Sequence, residues 1–503
     1  MPAKQNLIFI LLIVALVFIT YYGSFTNAFI WDDRAFVTEN QAIRNLNFKT
    51  IASYFTDRHT TSPRPRLSQQ VWRPLVTTSF AVDYSLWKLD PRPYHIENAF
   101  IHAFNSVLVY IVTALIVGNA LTAFLAALIF AVHPIQTQAV TLISGRANVL
   151  FLLFFLLSFI FHIKSRTVKE PTLNYVLCLI FFAFSLLSKE MAITLPLVCV
   201  LYDAHFFDKK PLRDYELYYF PFFLTALVYF IARTAVLGCV AQRELMAGGN
   251  IAAIIFTMLK VMASYIRLLF FPVNLRAEYL VSISTSIFNK DVIISCCFLL
   301  CIIAAYIILR RDKAVSFYIF WFFITLIPVS NLIPINTFMD ERFLYLPSIA
   351  FAAILSMAFF GLLNRTRLDL VKILLAVVLI TIMVFYETAT IRRNAEMRNE
   401  LTFCVKEVQR SPKNAIFHYN LGNEYVRKRE YELAIQEYEN SLSLRPDNQW
   451  AYINLADVYK KTGSYDKAIE NYQKAIALPQ RDEYTHAAYE GLKDAYAKKE
   501  GKK

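Results

Sequence analysis

Residues 6–23 read NLIFILLIVALVFITYYG, an uncharged and almost wholly apolar run that follows Lys4. A helix needs about 20 apolar residues, rising 1.5 Å each, to cross the hydrocarbon of a bilayer. The run therefore predicts a first membrane span. It has the basic start of a secretory leader, but its apolar core from Leu7 to Ile19 is long and no small-x-small cleavage site follows, so a retained span is expected.

The same pattern recurs outward along the chain, near 98–117, 119–133, 149–164, 173–187, 189–203, 217–237, 290–309, 315–332, 345–363 and 369–388, which makes eleven runs with the first. A further stretch, 251–271, holds Lys260 and Arg267 and ends at Pro272. A charge at the centre of a span costs about 2.5–3.5 kcal/mol on insertion scales. The short basic loops Lys164–Lys169, Lys209–Arg213, Arg310–Lys313 and Arg365–Arg367 all fall on one side only if 251–271 does not cross. It is expected as an interfacial or re-entrant helix that closes a lipid-tail groove. With a cytoplasmic N-terminus, the loop 24–97, the loops 134–148, 238–289 and 333–344, and the C-terminal region then lie outside.

Composition agrees. The chain is 57% hydrophobic and only 18% charged, against about 25% charged in a soluble domain. Its formal charge of +13 sits in short loops between apolar runs, the mark of membrane topology rather than of nucleic-acid binding. Cys178, Cys199, Cys296, Cys297 and Cys301 lie in apolar runs without paired zinc-like spacing, which predicts buried packing.

Polarity rises from about Thr388, and a period of 34 residues begins. Asn420, Leu421, Gly422 and Tyr425 map to Asn454, Leu455, Ala456 and Tyr459; Tyr431, Ala434, Ile435, Tyr438 and Ser441 map to Tyr465, Ala468, Ile469, Tyr472 and Ala475. Pro412 maps to Pro446, which places one more second-type helix at 397–411. The pattern resembles the tetratricopeptide repeat. The run Tyr489–Tyr496 predicts a final solvating helix, with Lys498–Lys503 as a polar tail. Such an array offers a groove for a peptide or partner protein, or serves as a rigid spacer. The fold class is thus all-α: a polytopic membrane helical bundle over 1–390, followed by a tetratricopeptide α-solenoid over 391–503.

The first outside loop opens with Phe29-Ile30-Trp31-Asp32-Asp33-Arg34, two carboxylates just beyond a span. Other polar groups gather at outside span ends: His95, Glu97, Asn98 and His102, then His133 and Arg146, then Lys189-Glu190, then Asp340-Glu341-Arg342. Ionisable groups at such depths face a site or pair between helices.

The motifs Trp31-Asp32-Asp33, Trp72-Arg73-Pro74-Leu75, Tyr94-His95 with Asn98 and His102, and His133-Pro134-Ile135-Gln136-Thr137-Gln138-Ala139-Val140 occur in that order. Gly145-Arg146, Ser188-Lys189-Glu190-Met191-Ala192-Ile193-Thr194, Asn331-Leu332-Ile333-Pro334 and Glu341-Arg342-Phe343-Leu344-Tyr345-Leu346-Pro347 follow them. With the terminal repeats, this set resembles the transmembrane and tetratricopeptide-repeat O-mannosyltransferases and their bacterial relatives, which are similar to the C-type multi-spanning glycosyltransferases. The resemblance implies a polyprenyl-phosphate sugar donor, a protein hydroxyl acceptor presented outside the membrane, and a catalytic acid in the first outside loop. It favours Asp32, the first of the pair, over Asp33. Gln138 and Asn148 stand where the animal enzymes commonly carry Glu and Asp, a variation similar to the bacterial branch and so to a bacterial inner membrane rather than an endoplasmic reticulum.

Transfer to a hydroxyl needs a base for the departing proton and cations for the charge that builds on the leaving phosphate. Asp32 or Asp33 is the candidate base, with inversion at the sugar carbon. Arg342 and Arg146 are candidates to hold the donor phosphate, because guanidinium matches phosphate geometry; Lys189 and His133 are further candidates, with Glu341, Glu190 and His95 in support. A divalent metal on the Asp pair is compatible with this chemistry and not required by it. No Gly-rich nucleotide-phosphate loop occurs, which argues against a nucleotide-sugar donor. The rival readings are a lipid-linked glycan ligase or polysaccharide-modifying enzyme, a non-enzymatic scaffold, and a transporter.

Overall fold

The structure is a computed structural model and describes residues 3–61, 71–168, 172–207, 212–238, 250–333, 335, 337–478 and 482–501. Lys169, Lys209, Lys210, Pro334, Lys502 and Lys503, named above in the basic loops, a motif and the tail, lie outside these residues. The chain forms two compact units, Met1–Ala395 and Glu396–Lys503. Among the described residues both are helical, without strands.

The first unit opens with α1 (Ala3–Tyr21). The long connection after it carries α2 (Phe48–Thr56), α3 (Arg58–Thr61) and α4 (Pro74–Trp87). Then come α5 (Pro91–Val117), α6 (Ala120–Val132), the single turn α7 (Thr137–Val140), α8 (Arg146–Thr167), α9 (Thr172–Ser188), α10 (Leu195–Phe206) and α11 (Leu212–Leu237). The unit ends with α12 (Ile251–Phe270), α13 (Lys290–Leu309), α14 (Lys313–Leu326), α15 (Ser348–Arg365) and α16 (Asp369–Glu396).

Each apolar run of the sequence falls on a helix. Among the described residues, eight helices are long and apolar enough to cross a bilayer, or nine if the bent pair Ala120–Val132 and Pro134–Val140 is one span. The runs at 173–187 and 315–332 give shorter apolar helices, Thr172–Ser188 and Lys313–Val329. The run at 189–203 is broken: Lys189 is extended, a 3-10 turn covers Glu190–Thr194, and α10 begins only at Leu195. Helix α12 passes the same test of length and composition as the spans. Its buried residues Ile254, Thr257, Val261, Tyr265 and Leu268 recur at three- and four-residue steps, the stripe of an amphipathic helix.

Hydrogen bonds between helices show which helix ends share a level. One end joins Asn27 to His95 and to Asn394, and Thr141 to Asn394. The opposite end joins Tyr110 to Asn6, Tyr318 to Thr113, and Ser356 to Thr122. At that opposite end Asp203 accepts from His162 Nε2 (3.1 Å), Arg166 Nε (2.8 Å) and Tyr219 Oη (2.9 Å), tying α8, α10 and α11 together. The core between the two ends is apolar and aromatic, with Phe155 and Phe159 each packed edge-on against Trp321. Cys178 and Cys199 are buried in it as expected. Cys297 and Cys301 are not: a four-residue step puts both on the outward face of α13, so packing against the core does not explain them.

The second unit contains α17 (Glu400–Arg410), α18 (Ala415–Arg427), α19 (Tyr431–Leu444), α20 (Gln449–Lys461), α21 (Tyr465–Ala477) and α22 (Asp482–Glu500). The 34-residue period is visible in its bonds. Tyr438 Oη donates to Asn423 Oδ1 (2.7 Å), and Tyr472 Oη, one period on, donates to Asp457 Oδ1 (2.6 Å). Gly422 is small because the Tyr438 ring lies on it: a Cβ there would stand 2.7 Å from Tyr438 Cε1. Helix α22 is longer than the expected Tyr489–Tyr496 segment, and its Gly491 receives the Tyr472 ring in the same way.

Candidate active site

The loop after α1 turns sharply at Trp31, whose φ of 53° is left-handed and uncommon for a bulky side chain. The turn sends the two acids to different places. Asp33 is fully buried; its Oδ1 accepts from Ser144 N (2.7 Å) and its Oδ2 from Ile30 N (3.2 Å). It anchors the loop to the 3-10 turn Ile143–Gly145. That turn is pressed against α7 so closely that a Cβ on Gly145 would stand 2.4 Å from the Ala139 carbonyl oxygen, which accounts for glycine there. Burial pushes the Asp33 carboxyl up to about 7, against the pull of its backbone donors.

Asp32 keeps 30% of its side chain exposed and pairs with Arg342, whose Nη1 lies 3.3 Å from Asp32 Oδ2. Burial raises the Asp32 carboxyl, and the Arg342 guanidinium opposes that rise. Arg342 is itself clamped. Its Nε and Nη2 reach Asp340 Oδ2 at 3.0 and 2.7 Å, and its backbone N donates to Asp340 Oδ1 at 2.9 Å. Burial acts to lower the Arg342 guanidinium; its two carboxylate neighbours outweigh that and hold it firmly protonated.

Two more cations join. Arg73, beside Trp72 at the start of α4, pairs with Glu190 (Nη2–Oε1 2.9 Å). Lys189 is buried at the break before the 190–194 turn and donates to Asn148 Oδ1 (2.6 Å). Its bond goes to an amide; among the described residues no carboxylate lies within ion-pairing distance of it, and burial, with Arg73 beside it, pulls its ammonium down to about 7. Arg73, Asp340 and Arg342 act electrostatically on both Asp32 and Lys189, which makes one cluster of Asp32, Arg73, Lys189, Glu190, Asp340 and Arg342.

Beside this cluster lies an apolar groove of about 450 Å³, lined by Phe55, Trp72, Leu186, Leu224, Val228 and Tyr229 among others. It opens between α9 and α11, and the Trp72 and Tyr229 rings, 5.6 Å apart, stand at its Arg73 end. Among the described residues no three of His, Cys, Asp and Glu are grouped as metal ligands would be.

The structure therefore brings Asp32, Arg342, Lys189 and Glu190 together, and the other candidates are engaged elsewhere. Arg146 is fully buried, with Nη2 3.1 Å from both Asp83 Oδ2 and Glu97 Oε2 and with Nε on Asn98 Oδ1. It neutralises its own carboxylates rather than facing the Asp32 cluster. Both His133 nitrogens are committed: Nδ1 accepts from Ile135 N (3.2 Å), so Nε2 donates to Leu269 O (2.8 Å). His95 Nε2 bonds Asn27 O (3.1 Å). Glu341 faces away from its neighbours, its Oε1 accepting from Arg276 N (2.5 Å) and Tyr279 Oη (2.6 Å). Arg73 and Asp340 stood in the sequence only inside the Trp72–Leu75 motif and the Asp340–Arg342 polar group, without a role assigned to either. The signal for Asp340 was its two-residue step to Arg342 at a turn start, where a capping Asp receives the N–H of the second residue on. Arg73 offered no such signal.

Comparison with known proteins agrees with this layout. The family patterns described as TPR repeat and Tetratricopeptide repeat match residues 422–463 and 450–478. Protein O-mannosyl-transferase TMTC3 of Mus musculus is 26% identical over 482 residues, covering 87% of this chain and 51% of its own length. A protein O-mannosyl-transferase of Caenorhabditis elegans is 26% identical over 479 residues, covering 88% of this chain and 64% of its own. The TMTC3 protein of Homo sapiens is 33% identical over 205 residues, 40% of this chain and 22% of its own length. The chain thus spans from about half to under two thirds of the curated relatives that match most of it. Over most of its length, this chain is similar to proteins named protein O-mannosyl-transferase, and its C-terminal region carries tetratricopeptide repeats.

Proposed function

We propose that the chain is an integral membrane glycosyltransferase that moves mannose or another hexose from a polyprenyl-phosphate donor to a protein hydroxyl on the extracytoplasmic side. The observation that carries the reading is a part-exposed carboxylate, Asp32, ion-paired to Arg342 in a cation cluster beside an apolar groove. An isoprenoid tail suits the groove. Its phosphate suits Arg73, Lys189 and Arg342, and the sugar carbon then faces Asp32. This groove, between α9 and α11, replaces the expectation that helix 251–271 closes the lipid-tail site.

In this mechanism the acceptor hydroxyl gives its proton to the Asp32 carboxylate as its oxygen attacks the anomeric carbon. The bond from that carbon to the phosphate oxygen breaks, and the electron pair leaves with polyprenyl phosphate. Attack opposite the leaving group inverts the sugar carbon. The guanidiniums and Lys189 stabilise charge building on the phosphate, in a site where water is scarce and such contacts are strong. Asp33, bonded through both oxygens to backbone N–H groups, holds the loop that presents Asp32.

The repeats supply a surface for the acceptor protein. Helix α16 ends at the Asn27 end of the first unit, since Asn27 Nδ2 donates to Asn394 O. In this reading the chain leaves the membrane on the Asp32 face, and the repeats begin on the extracytoplasmic side. Glycan analysis of a strain lacking the chain, complemented with wild type or Asp32→Asn, tests the proposal. Loss of protein-linked hexose restored only by wild type supports it. Altered surface polysaccharide with unchanged protein sugar identifies a lipid-linked glycan ligase instead.

A further inference from the structure

We propose that residues 251–289 form an interfacial hairpin that stays on the Asp32 face of the membrane, so that α12 does not carry the chain across. The directions of α11, α13 and α14 place the hairpin there, whether or not the chain is a transferase.

Helix α11 rises from the Asp203 network, which Tyr219 joins, and its Tyr229 packs on Trp72 at the Asp32 end. The C-terminal half of α12 lies at that same end: Tyr265 Oη accepts from Asp340 N (3.1 Å), and Leu269 O accepts from His133 (2.8 Å). Helix α14 begins at the opposite end, where Ser316 bonds His205 (2.9 Å), and finishes in the 327–329 turn, which packs on the 190–194 turn beside the cluster. Helix α13 must then run from the Asp32 end to the opposite one. Both flanks of α12 therefore stand at the Asp32 end, although its 20 residues would reach about 30 Å, enough to span.

The segment after α12 is not helical, and it folds back along the helix. Lys260 Nζ donates to Ser282 O (2.6 Å) and to its Oγ (3.2 Å), and Ser284 N donates to Thr257 Oγ1 (3.0 Å). Non-helical backbone at membrane depth is tolerated only where its polar groups find partners. Lys260 and Thr257 are such partners, which explains a lysine in the middle of a mostly apolar helix. Nearer the site the limb is held by Arg276 N and Tyr279 Oη on Glu341, and by Gln138 Nε2 on Arg276 O (2.7 Å). Its outward side chains Phe271, Leu280, Ile283 and Phe288 are apolar, as an element seated in the bilayer interface requires. The hairpin thus joins the membrane to the Asp340–Glu341–Arg342 turn, through Tyr265 at Asp340 N and Tyr279 at Glu341.

Single cysteines test the hairpin. Asn250→Cys, Lys290→Cys and, as the reference for the Asp32 face, Phe48→Cys are placed in the full chain after Cys239, Cys296, Cys297 and Cys301 are changed to Ser. All three should react with a membrane-impermeant maleimide from the same face of sealed, oriented vesicles. Labelling of Asn250→Cys from the face opposite Phe48→Cys overturns the proposal. Lys260→Met gives a second reading that needs no labelling. A lysine that serves the Ser282 carbonyl lowers the melting midpoint when lost. An unchanged or raised midpoint, as expected when a charge is removed from a true span, overturns the proposal too.

Discussion

Replacing Asp33 by Asn should destabilise the protein more at pH 5 than at pH 8. The carboxyl lies near 7 in the fold because it is buried, whereas an exposed aspartate titrates near 3.9. Below about pH 4 both folded and unfolded chains carry the proton. Between about 4 and 7 the unfolded chain loses it and the folded chain keeps it, so stability falls as pH rises and levels off above 7. At about 1.4 kcal/mol per pH unit, the span from pH 5 to 7 removes roughly 3 kcal/mol from wild type. Asparagine does not titrate and lacks this loss. It also keeps only one acceptor for the two N–H groups, at Ser144 and Ile30, that Asp33 serves, and an unmet buried donor costs about 1–3 kcal/mol. The variant should therefore melt below wild type at pH 5, and the gap should narrow or reverse by pH 8. Melting midpoints in lipid nanodiscs at the two pH values measure it. A gap that stays constant or widens with pH refutes the assignment of a buried, raised carboxyl at Asp33.

Other substitutions separate site from scaffold. Arg342→Lys removes the two-point clamp on Asp340 and should raise the KM for lipid donor by tenfold or more, about 1.4 kcal/mol or greater, with the protein still folded. His133→Ala loses the bond to Leu269 O and should lower the melting midpoint while leaving the donor KM unchanged, since His133 does not face the cluster. Gly145→Ala forces a Cβ to within 2.4 Å of a backbone oxygen; overpacking of this kind costs about 1–3 kcal/mol, and transfer should fall with stability because the Ser144 anchor of Asp33 shifts. In the repeats, Gly422→Val should expose the second unit to limited proteolysis far more than Gly422→Ala, because the equivalent Ala456 shows that a methyl can be accommodated one period on.

Much of the fold was legible because its two signals are long-range and simple. Apolar runs of span length mark a helix whatever it packs against, and a 34-residue period marks a hairpin array whose matching bonds, Tyr438 to Asn423 and Tyr472 to Asp457, repeat in space. The break at Lys189 was harder, because an apolar run reads the same whether or not a 3-10 turn interrupts it. The site was legible only as a set of span ends. Sequence places Arg146, His133, Lys189 and Arg342 at similar depths, but it does not say which cation meets which carboxylate. Arg146 finds Asp83 and Glu97, and Arg342 finds Asp32 and Asp340. Neighbours also diverge: Asp340 is bonded to Arg342, whereas the adjacent Glu341 is bonded to the 276–279 limb. Local sequence does not separate Asp32 from Asp33, which only the resemblance ranked; in the fold they become distinct because Trp31 turns the chain between Ile30 and the acids.

The most direct test is transfer itself. Purified full chain in nanodiscs is given polyprenyl-phosphate mannose and an acceptor protein, and added hexose is read by intact mass. Wild type should add hexose, and Asp32→Asn, folded with an unchanged melting midpoint, should add none. Full transfer by Asp32→Asn would contradict the role assigned to this carboxylate.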